Sequence, residues 1–407
     1  MTRACALARR TLGSPGAQAP ASPAPSAEPP PHVRSAIERF MAEEASLVSV
    51  DKSSLSPAGG EYRFIAPRRV PRSSGAFSRP SSGTTATVPR ARPAPPGITG
   101  PAGHSLYPNA PTSPAPGHIV GGRYRIERLL GEGGMGTVFL ARDLRLDIEV
   151  ALKHVRADIV CPETRRRLLA EARAAARVSH PSAVRVLDVI VGDHESPFLV
   201  MELLRGRPLS DALLDGLFPP ETAVRLMLPI IAAVAEAHAH GVVHRDIKPD
   251  NILLAPQEGA VPKLVDFGVA KVAGAPMPRR MTPSGTLIGS PEYMAPEQAD
   301  GRPDVDARAD IWALCIVLYE LITGVTPFNG TSALDTLTRI RCDDPEPRGL
   351  LRTEHELWWL LTRGLAKDRD DRLASAAALG RALARWARAR GINSDAAGTA
   401  ISHWLSH

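Results

Sequence analysis

Residues 244–254 read HRDIKPDNILL, and the mostly polar run from His244 to Asn251 stands between the apolar segments GVV and ILL. A connecting loop is normally looser and richer in glycine, so this density of side-chain chemistry points to function. Asp246 can accept a proton from a hydroxyl group, and Lys248 can steady an anionic group in transfer. Asn251 can bind a metal ion through its side-chain oxygen. The run therefore predicts a catalytic loop.

A second metal ligand is predicted downstream, in the triplet Asp266-Phe267-Gly268 after the strand-like segment KLV. A carboxylate at the end of a strand is well placed to bind Mg2+. Gly268 would permit a sharp turn after it.

A glycine-rich turn lies upstream, at Gly131, Gly133 and Gly136 in LLGEGGMGTV. Glycines have no Cβ, so the backbone N–H groups of such a turn can approach phosphate oxygens closely. A plain hairpin turn is the simpler alternative for this segment taken alone. A strand-like segment follows it rather than a helix, which disfavours a dinucleotide-binding βαβ unit.

Lys153 ends the apolar segment VALK, 17 residues beyond Gly136. If it points inward, its charge must be paired. The next predicted helix supplies Glu171, although a solvent-facing Glu is the simpler expectation at that position. A Lys153–Glu171 pair would hold the ammonium group against two phosphates of a nucleotide.

Taken together, these segments resemble the protein kinase family. The resemblance rests on GEGGMG, VALK, HRDIKPDN, DFG and MAPE (Met294 to Glu297), in the order and with the spacing of the family. It covers about residues 122–388. GEGGMGTV, HRDIKPDNILL and PEYMAPEQ are most similar to the bacterial serine/threonine kinases of eukaryotic type, and Lys248 is typical of the serine/threonine branch.

The resemblance implies a two-lobed α+β fold. A small antiparallel β lobe with one main helix would span about residues 122–203, and a larger, mostly helical lobe about 204–390. Residues 1–118, rich in Pro, Ala, Ser and Arg, are expected to be disordered because they offer no apolar core. Residues 391–407 are expected to form a C-terminal tail.

The resemblance also implies roles for individual residues. Asp246, Lys248, Lys153 and Glu171 would be catalytic, and Asn251 and Asp266 would bind metal. Met201 would gate the back of the adenine pocket, with Glu202 and Leu203 as the hinge. The expected nucleotide-binding residues are Leu130, Gly131, Glu132, Gly133, Gly134, Met135, Gly136, Thr137, Val138, Ala151, Lys153, Met201, Glu202 and Leu203.

Four further residues have implied structural roles. Glu297 would pair with Arg372 as a buried bridge, and Asp310 would brace the backbone of the catalytic loop. Arg245 is typical of kinases that are switched on by a phosphate in the activation segment. The candidate hydroxyls in that segment are Thr282, Ser284, Thr286 and Ser290; we expect Thr282 and Ser284 to be the phosphosites and Ser290 to contact the catalytic loop.

Three histidines in and before the catalytic loop, and two departures from the family pattern, are expected to have structural rather than chemical roles. His244 is expected to be a packed structural residue, and His238 and His240 ordinary, partly exposed ones. Ala313 and Cys315 replace a Ser and a Gly of the usual family segment. We expect this change to affect core packing rather than chemistry.

Composition separates the chain into two parts. Residues 1–118 hold 13 basic and 6 acidic residues and 20 of the 39 prolines, whereas the rest is close to neutral. This balance argues against nucleic acid as the main partner of the folded part.

The four cysteines lack paired spacing, which predicts a reducing, cytoplasmic location. The longest apolar run, Ile311 to Tyr319, is too short to span a membrane and predicts a buried helix.

The sequence thus predicts a serine/threonine protein kinase that uses ATP and Mg2+, with Mn2+ as the alternative metal. Protein substrates are expected to include the chain itself, and self-association is a possible route to this autophosphorylation. Two rival functions remain at this point: a pseudokinase scaffold, and a phosphotransferase for small molecules. Pseudokinases typically lack the counterpart of Lys153, Asp246 or Asp266, and this chain has all three. Phosphotransferases for small molecules usually lack an activation segment that ends as this one does, in MAPE.

Overall fold

The computed structural model describes residues 114–133, 136–155, 162–191, 197–255, 261–266 and 291–406. Several predictions concern residues outside these ranges. They are the disorder of most of residues 1–118 and the roles of Gly134, Met135, Phe267, Gly268, Thr282, Ser284, Thr286 and Ser290.

The first lobe is built on an antiparallel sheet with the strand order β1-β2-β3-β4-β6-β5. One α-helix, α1 (Pro162–Ala175), belongs to this lobe within the described residues. The strands are β1 (Ile119–Val120), β2 (Tyr124–Gly133), β3 (Gly136–Asp143), β4 (Ile148–Val155), β5 (Val186–Val191) and β6 (Pro197–Glu202).

Alternation along β3 and β4 places side chains on two different faces of this sheet. Phe139 and Leu152 pack in a cluster within the lobe, together with Val120 of β1. Val138 and Ala151, one position away, belong to the large core that continues into the second lobe. Lys153 has the parity of Ala151, so its side chain points to the face that borders the second lobe.

The second lobe is mostly helical, and it includes a small three-stranded sheet. This sheet touches the first lobe, because Leu264 forms a β-bridge with Ala183. The expected two-lobed α+β fold is therefore confirmed for the described residues. The elements of the second lobe are β7 (Arg207–Pro208), α2 (Leu209–Asp215), α3 (Pro220–Ala239), β8 (Ile252–Ala255), β9 (Val261–Leu264), α4 (Pro296–Ala299), α5 (Arg308–Thr323), α6 (Ala333–Cys342), α7 (His355–Gly364) and α8 (Ala376–Ala389).

The core of this lobe lies around α3 and α5. Every residue of α5 from Ala309 to Ile322 is buried, as the apolar run in the sequence predicts. α3 is long and apolar enough to cross a membrane by length and composition, but 61% of the 18 residues that meet this criterion are buried within the lobe. Its position is that of a core helix.

The segment that we expected to be a C-terminal tail packs against α8 and α3. Ile401 is buried at 1% exposure. The indole of Trp404 lies so close to Gly380 that a Cβ there would approach it to 2.1 Å. Arg225 of α3 donates from Nε to the carbonyl oxygen of Ser394 at 3.1 Å. These contacts make residues 392–405 part of the folded lobe.

Candidate active site

The predicted catalytic loop leads into the small sheet between the lobes. Pro249–Asn251 form one turn of 3-10 helix, and β8 follows immediately. β8 pairs antiparallel with β9, and the backbone N–H of Val265 donates to the carbonyl oxygen of Asn251 at 2.9 Å. This pairing places Asn251 beside Asp266, although 15 positions separate them in the sequence.

Asp246 lies at the centre of the site. The Asn251 side-chain amide donates to the backbone oxygen of Asp246 at 2.8 Å and to its carboxylate Oδ2 at 3.2 Å. Lys248 Nζ lies 3.4 Å from the same Oδ2. The Asp246 side chain remains 20% exposed. These contacts orient the carboxylate while leaving it accessible, as a group that accepts a substrate proton requires.

Asp310 of α5 braces the loop from below. Its carboxylate is fully buried and accepts from the backbone N–H groups of His244 and Arg245, both at 2.7 Å. Arg245 has φ of +63°, a conformation that is unfavourable for a residue with a Cβ. The hydrogen bond from its N–H to Asp310 helps to hold this conformation one residue before Asp246.

His238 belongs to the same network. It is partly exposed, as expected, but its contact with Asp310 makes it more than an ordinary surface residue. Its Nε2 lies 2.8 Å from Asp310 Oδ2, and its side chain is 11% exposed. No local pattern reveals this contact because Asp310 lies 72 residues away. His240 remains on the surface, 3.2 Å from Glu236.

His244 is a packed residue, as expected. It is 0% exposed, and its Nε2 lies 3.0 Å from the carbonyl oxygen of Val265. Burial lowers the pKa of its imidazole, so the ring is neutral at physiological pH. A neutral ring suits a structural link between the catalytic loop and the strand that leads to Asp266.

Lys153 has a different partner from the one expected. Its Nζ lies 2.8 Å from Asp266 Oδ1, and no Lys153–Glu171 ion pair occurs within the described residues. Glu171 lies close enough to Arg245 for the charge of Arg245 to lower its pKa, but burial dominates and raises that pKa to about 7. Lys153 thus forms its ion pair with the Asp266 carboxylate, and the Glu171 carboxyl group is partly desolvated.

The residues expected around the adenine base lie together at the junction of the lobes. Leu130, Val138, Ala151 and Met201 are all at most 8% exposed and share one apolar cluster. In the glycine-rich turn, Gly133 pairs with Gly136 across the end of the β2–β3 hairpin. Thr137 is buried, whereas Glu132 is exposed and Gly131 and Leu203 are partly exposed.

The side chain of Glu202 has a contact that the sequence did not predict. Its Oε1 accepts from Lys263 Nζ at 3.0 Å and from the backbone N–H of Arg185 at 2.9 Å. It thereby ties the end of β6 to β9. Because the Glu202 carboxylate is engaged in these contacts, the expected hinge would meet a nucleotide base through its backbone groups.

Glu297 and Arg372 form a two-fold hydrogen-bonded ion pair, with both N–O distances at 2.8 Å. Arg372 also donates to the carbonyl oxygens of Ala366 at 2.9 Å and Arg308 at 3.1 Å. Nearby, the side-chain amide of Gln298 donates to the carbonyl oxygen of Arg245 at 3.0 Å. α4 is thus fixed to the core on one side and to the catalytic loop on the other.

A second contact in this region was not predicted. The hydroxyl of Tyr293 donates to Glu320 Oε2 at 2.6 Å, in surroundings buried enough to raise the pKa of the phenol well above its usual value. The contact fixes Pro291–Tyr293, a 3-10 turn, to α5.

Cys315 is buried at 0% exposure, and burial raises the pKa of its thiol to about 12. A Cβ on Gly364 of α7 would lie 2.2 Å from its sulfur. The side chain that stands here where the family usually has Gly is therefore accommodated by a glycine on the facing helix, which agrees with an effect on packing.

The residues present fit a divalent metal ion bound together with phosphates. No group of three or more His, Cys, Asp or Glu residues that could hold a metal occurs in the part of the chain that the structure describes. Mg2+, however, is commonly held by one or two protein oxygens plus substrate phosphates. The Asp266 carboxylate and the Asn251 side-chain oxygen provide such a pair.

Comparison with known proteins agrees with this geometry. The family profile described as "Protein kinase domain" matches residues 124–383. Serine/threonine-protein kinase Pkn1 of Myxococcus xanthus is 40% identical over 291 residues, which are 69% of this chain and 41% of that protein. Serine/threonine-protein kinase pkn3 of the same organism is 38% identical over 272 residues, 64% of this chain and 49% of the relative. The chain thus spans less than half of the length of these relatives.

The crystal structure of the Mycobacterium tuberculosis PknI kinase domain superimposes with a TM-score of 0.53 at 28% identity. The match covers 68% of this chain and all of that domain.

Proposed function

The chain belongs to the protein kinase family, and we propose that it is a serine/threonine protein kinase that transfers the γ-phosphate of ATP to Ser and Thr hydroxyls of proteins, including its own. One observation carries the proposal. Lys153, Asp246, Lys248, Asn251 and Asp266, which come from three separate segments, meet where the lobes join. Family membership implies the use of ATP and a divalent metal ion.

The residues divide the chemistry among them. Asp246 accepts the proton of the attacking hydroxyl and orients it, because its carboxylate is held but accessible. Lys248, beside it, offsets negative charge on the phosphoryl group in transfer. Lys153 binds the phosphates. In this geometry Lys153 is paired with Asp266, so nucleotide binding requires this carboxylate to share or release the ammonium group.

We assign the metal as Mg2+, with Mn2+ as the alternative, because the donor set is made of oxygen atoms only. When bound, the ion offsets the charge of the phosphate groups. Asn251 can contribute because its amide nitrogen is used by Asp246, which turns its oxygen toward other partners. Asp266 contributes its carboxylate.

Phosphorylation of Thr282 and Ser284 is the proposed switch. Arg245, beside Asp246, lies near Glu171, and its guanidinium donates to the carbonyl oxygen of Val305 at 3.4 Å. A phosphate adds nearly two negative charges and can pair with such an arginine. The chain would supply this phosphate itself, and association of two copies is one route by which it can do so. The cysteine pattern supports a cytoplasmic location for the reaction.

Incubation of the purified chain with labelled ATP, Mg2+ and a generic protein substrate tests the proposal, and phosphosite mapping identifies the acceptors. Asp246→Asn should lower transfer by about 100-fold or more, since it removes a general base, while ATP affinity changes little. Asp147→Asn, on an exposed turn, is the matched control and should match wild type. Transfer by Asp246→Asn at the wild-type rate would refute the assigned chemistry.

The acceptors also separate the rival functions. Phosphate found only on a small molecule would favour the phosphotransferase. ATP binding without any transfer would favour the pseudokinase scaffold.

A further inference from the structure

Lys367, in the turn after α7, lies beneath the end of α6. Its Nζ donates to the carbonyl oxygen of Ile340 at 2.8 Å and lies 3.5 Å from that of Arg339. Carbonyl groups in the last turn of a helix have no donor within the helix. A cation at this end is also favoured by the helix dipole. Lys367 therefore caps the C-terminus of α6 from another part of the chain.

The ammonium group lies in an aromatic pocket. Nζ is 3.8 Å from the ring centroid of Phe328 and 5.1 Å from that of Trp312. These two rings are stacked with their centroids 5.3 Å apart. A cation over aromatic faces gains electrostatic attraction, which is stronger where water is excluded.

The surroundings of this cation bring its titration close to neutral pH. Burial lowers the pKa of Lys367 to about 8, and the positive charge of Arg372 acts in the same direction. The groups at the end of α6 and just after it, Asp344, Asp343 and Cys342, oppose this shift. Lys367 is thus mostly a cation at pH 7 and loses its charge around pH 8.

The same short segment also holds α4. Arg372, five residues after Lys367, carries the ion pair to Glu297 and bonds back to the carbonyl oxygen of Ala366. α6 in turn reaches the end of α4, because Arg341 donates from Nε to Oδ1 of Asp300, the residue directly after α4, at 2.6 Å. Lys367 and Arg372 therefore act as two anchors of one assembly made of α4 and α6.

This assembly borders the catalytic loop. α6 packs against α4 and against the 3-10 turn Pro291–Tyr293. Gln298 of α4 bonds to the backbone of Arg245, and the phenol of Tyr293 is within electrostatic reach of Asp250 in the loop. A polypeptide whose hydroxyl reaches Asp246 must extend along a surface next to this loop, and the assembly supplies one.

We infer that Lys367 is a positioning residue for the polypeptide substrate: by capping α6 it holds the surface of α6, α4 and Pro291–Tyr293 in register with the catalytic loop. The inference rests on the proposed function. It predicts a selective effect, because the nucleotide-binding residues lie in the first lobe and at the junction, away from α6. Loss of the cap raises KM for a peptide substrate and leaves KM for ATP unchanged.

The charge of Lys367 also predicts a pH dependence. The charged form of Lys367 predominates below about pH 8, and the neutral amine that replaces it above that pH loses both the attraction of the rings and the charge-assisted hydrogen bond. KM for the peptide should therefore rise in wild type between about pH 7 and about pH 9, and this rise should be absent when residue 367 carries no titrating group.

The experiment compares Lys367→Met, Lys367→Arg and Arg363→Met in the full chain, with steady-state kinetics on one peptide. Arg363 lies over the exposed ring of Trp359 and is the matched control for loss of a cation. Lys367→Met should raise peptide KM by about 10-fold or more, corresponding to about 1.4 kcal/mol. Its KM for ATP should stay within about twofold. Lys367→Arg, which keeps a cation, should recover most of the loss, and Arg363→Met should match wild type.

Equal changes in both KM values and in kcat, or an unchanged peptide KM, would overturn the inference. Hydrogen exchange of the α6 amides is read in parallel, without turnover. It should accelerate in Lys367→Met and not in Arg363→Met, and unchanged exchange would also overturn the inference. If Lys367→Met does not fold, the wild-type pH profile decides, because a peptide KM that is flat from about pH 7 to about pH 9 contradicts the role of the charge. Failure of the proposed function is distinct, since wild type would then phosphorylate no peptide at any pH.

Discussion

The buried pair of Glu297 and Arg372 allows a demanding test, the substitution Glu297→Gln. Gln keeps the shape and can still accept one hydrogen bond, but it leaves the guanidinium charge without its counter-charge. The two side chains are only 3% and 0% exposed, so water cannot replace the lost carboxylate. Breaking such a pair by removing one charge costs about 3–5 kcal/mol.

The other contacts of Arg372 do not remove this cost. Its remaining partners are the backbone oxygens of Ala366, Arg308 and Lys367 and the ring of Trp312, none of which carries a neutralising charge. We therefore expect about 4 kcal/mol of destabilisation of the second lobe, seen as a fall in Tm of roughly 10 °C for a domain of this size. The assay is thermal unfolding of wild type and variant, each scanned at the same rate.

A double variant separates charge from packing. Glu297→Met with Arg372→Met removes both charges together, and an apolar replacement of a whole buried pair costs much less than breaking it. The double variant should therefore be more stable than Glu297→Gln. Asp215→Asn, which breaks the exposed pair with Arg207, is the control and should cost at most about 1 kcal/mol. A Glu297→Gln protein that unfolds within about 1 kcal/mol of wild type would refute the reasoning.

Three further outcomes are expected. His238→Phe should lower kcat by about 10-fold or more while KM for ATP stays unchanged, because Asp310 loses a hydrogen-bond donor below the catalytic loop. His240→Phe, on the surface, should have no effect, and equal behaviour of the two variants would contradict a role for the buried contact. Glu171→Gln should make the protein more stable than wild type at neutral pH and above. The pKa of Glu171 in the folded state is raised to about 7 from 4.5, so wild type loses stability as pH rises between these values, on the order of 2 kcal/mol after allowance for screening, and the variant should not. Identical Tm profiles from about pH 5 to about pH 8 would exclude this. Gly364→Ala should destabilise the second lobe by about 1–3 kcal/mol, because the new Cβ clashes with the Cys315 sulfur. Adding Cys315→Gly should recover much of that loss, and a Gly364→Ala variant with the wild-type Tm would contradict the prediction.

Local patterns in the sequence were sufficient wherever a short segment carries its own physical signal. The alternation along β3 and β4 places Phe139 and Leu152 on one face and Val138, Ala151 and Lys153 on the other, and the structure has this arrangement. The apolar run within α5 predicts a buried helix, which is also present. These features depend on periods of two and 3.6 residues, which any strand or helix must follow.

Contacts between distant segments could be predicted only where the family resemblance named both partners. The Glu297–Arg372 pair and the brace from Asp310 to the catalytic loop were expected on that basis, and both contacts are present. The contacts of Tyr293 with Glu320 and of Glu202 with Lys263 were not foreseen. In neither case does a pattern near one residue indicate the other.

Lys153 shows most clearly what tertiary structure decides. Its parity in β4 requires a buried cation with a partner, but two carboxylates are available, Glu171 on α1 and Asp266 beyond β9. The pair formed is with Asp266, 113 residues away, while Glu171 lies near Arg245. Which carboxylate reaches Lys153 depends on how α1 and the end of β9 lie against the sheet. That placement depends on packing between the two lobes, to which residues throughout the chain contribute.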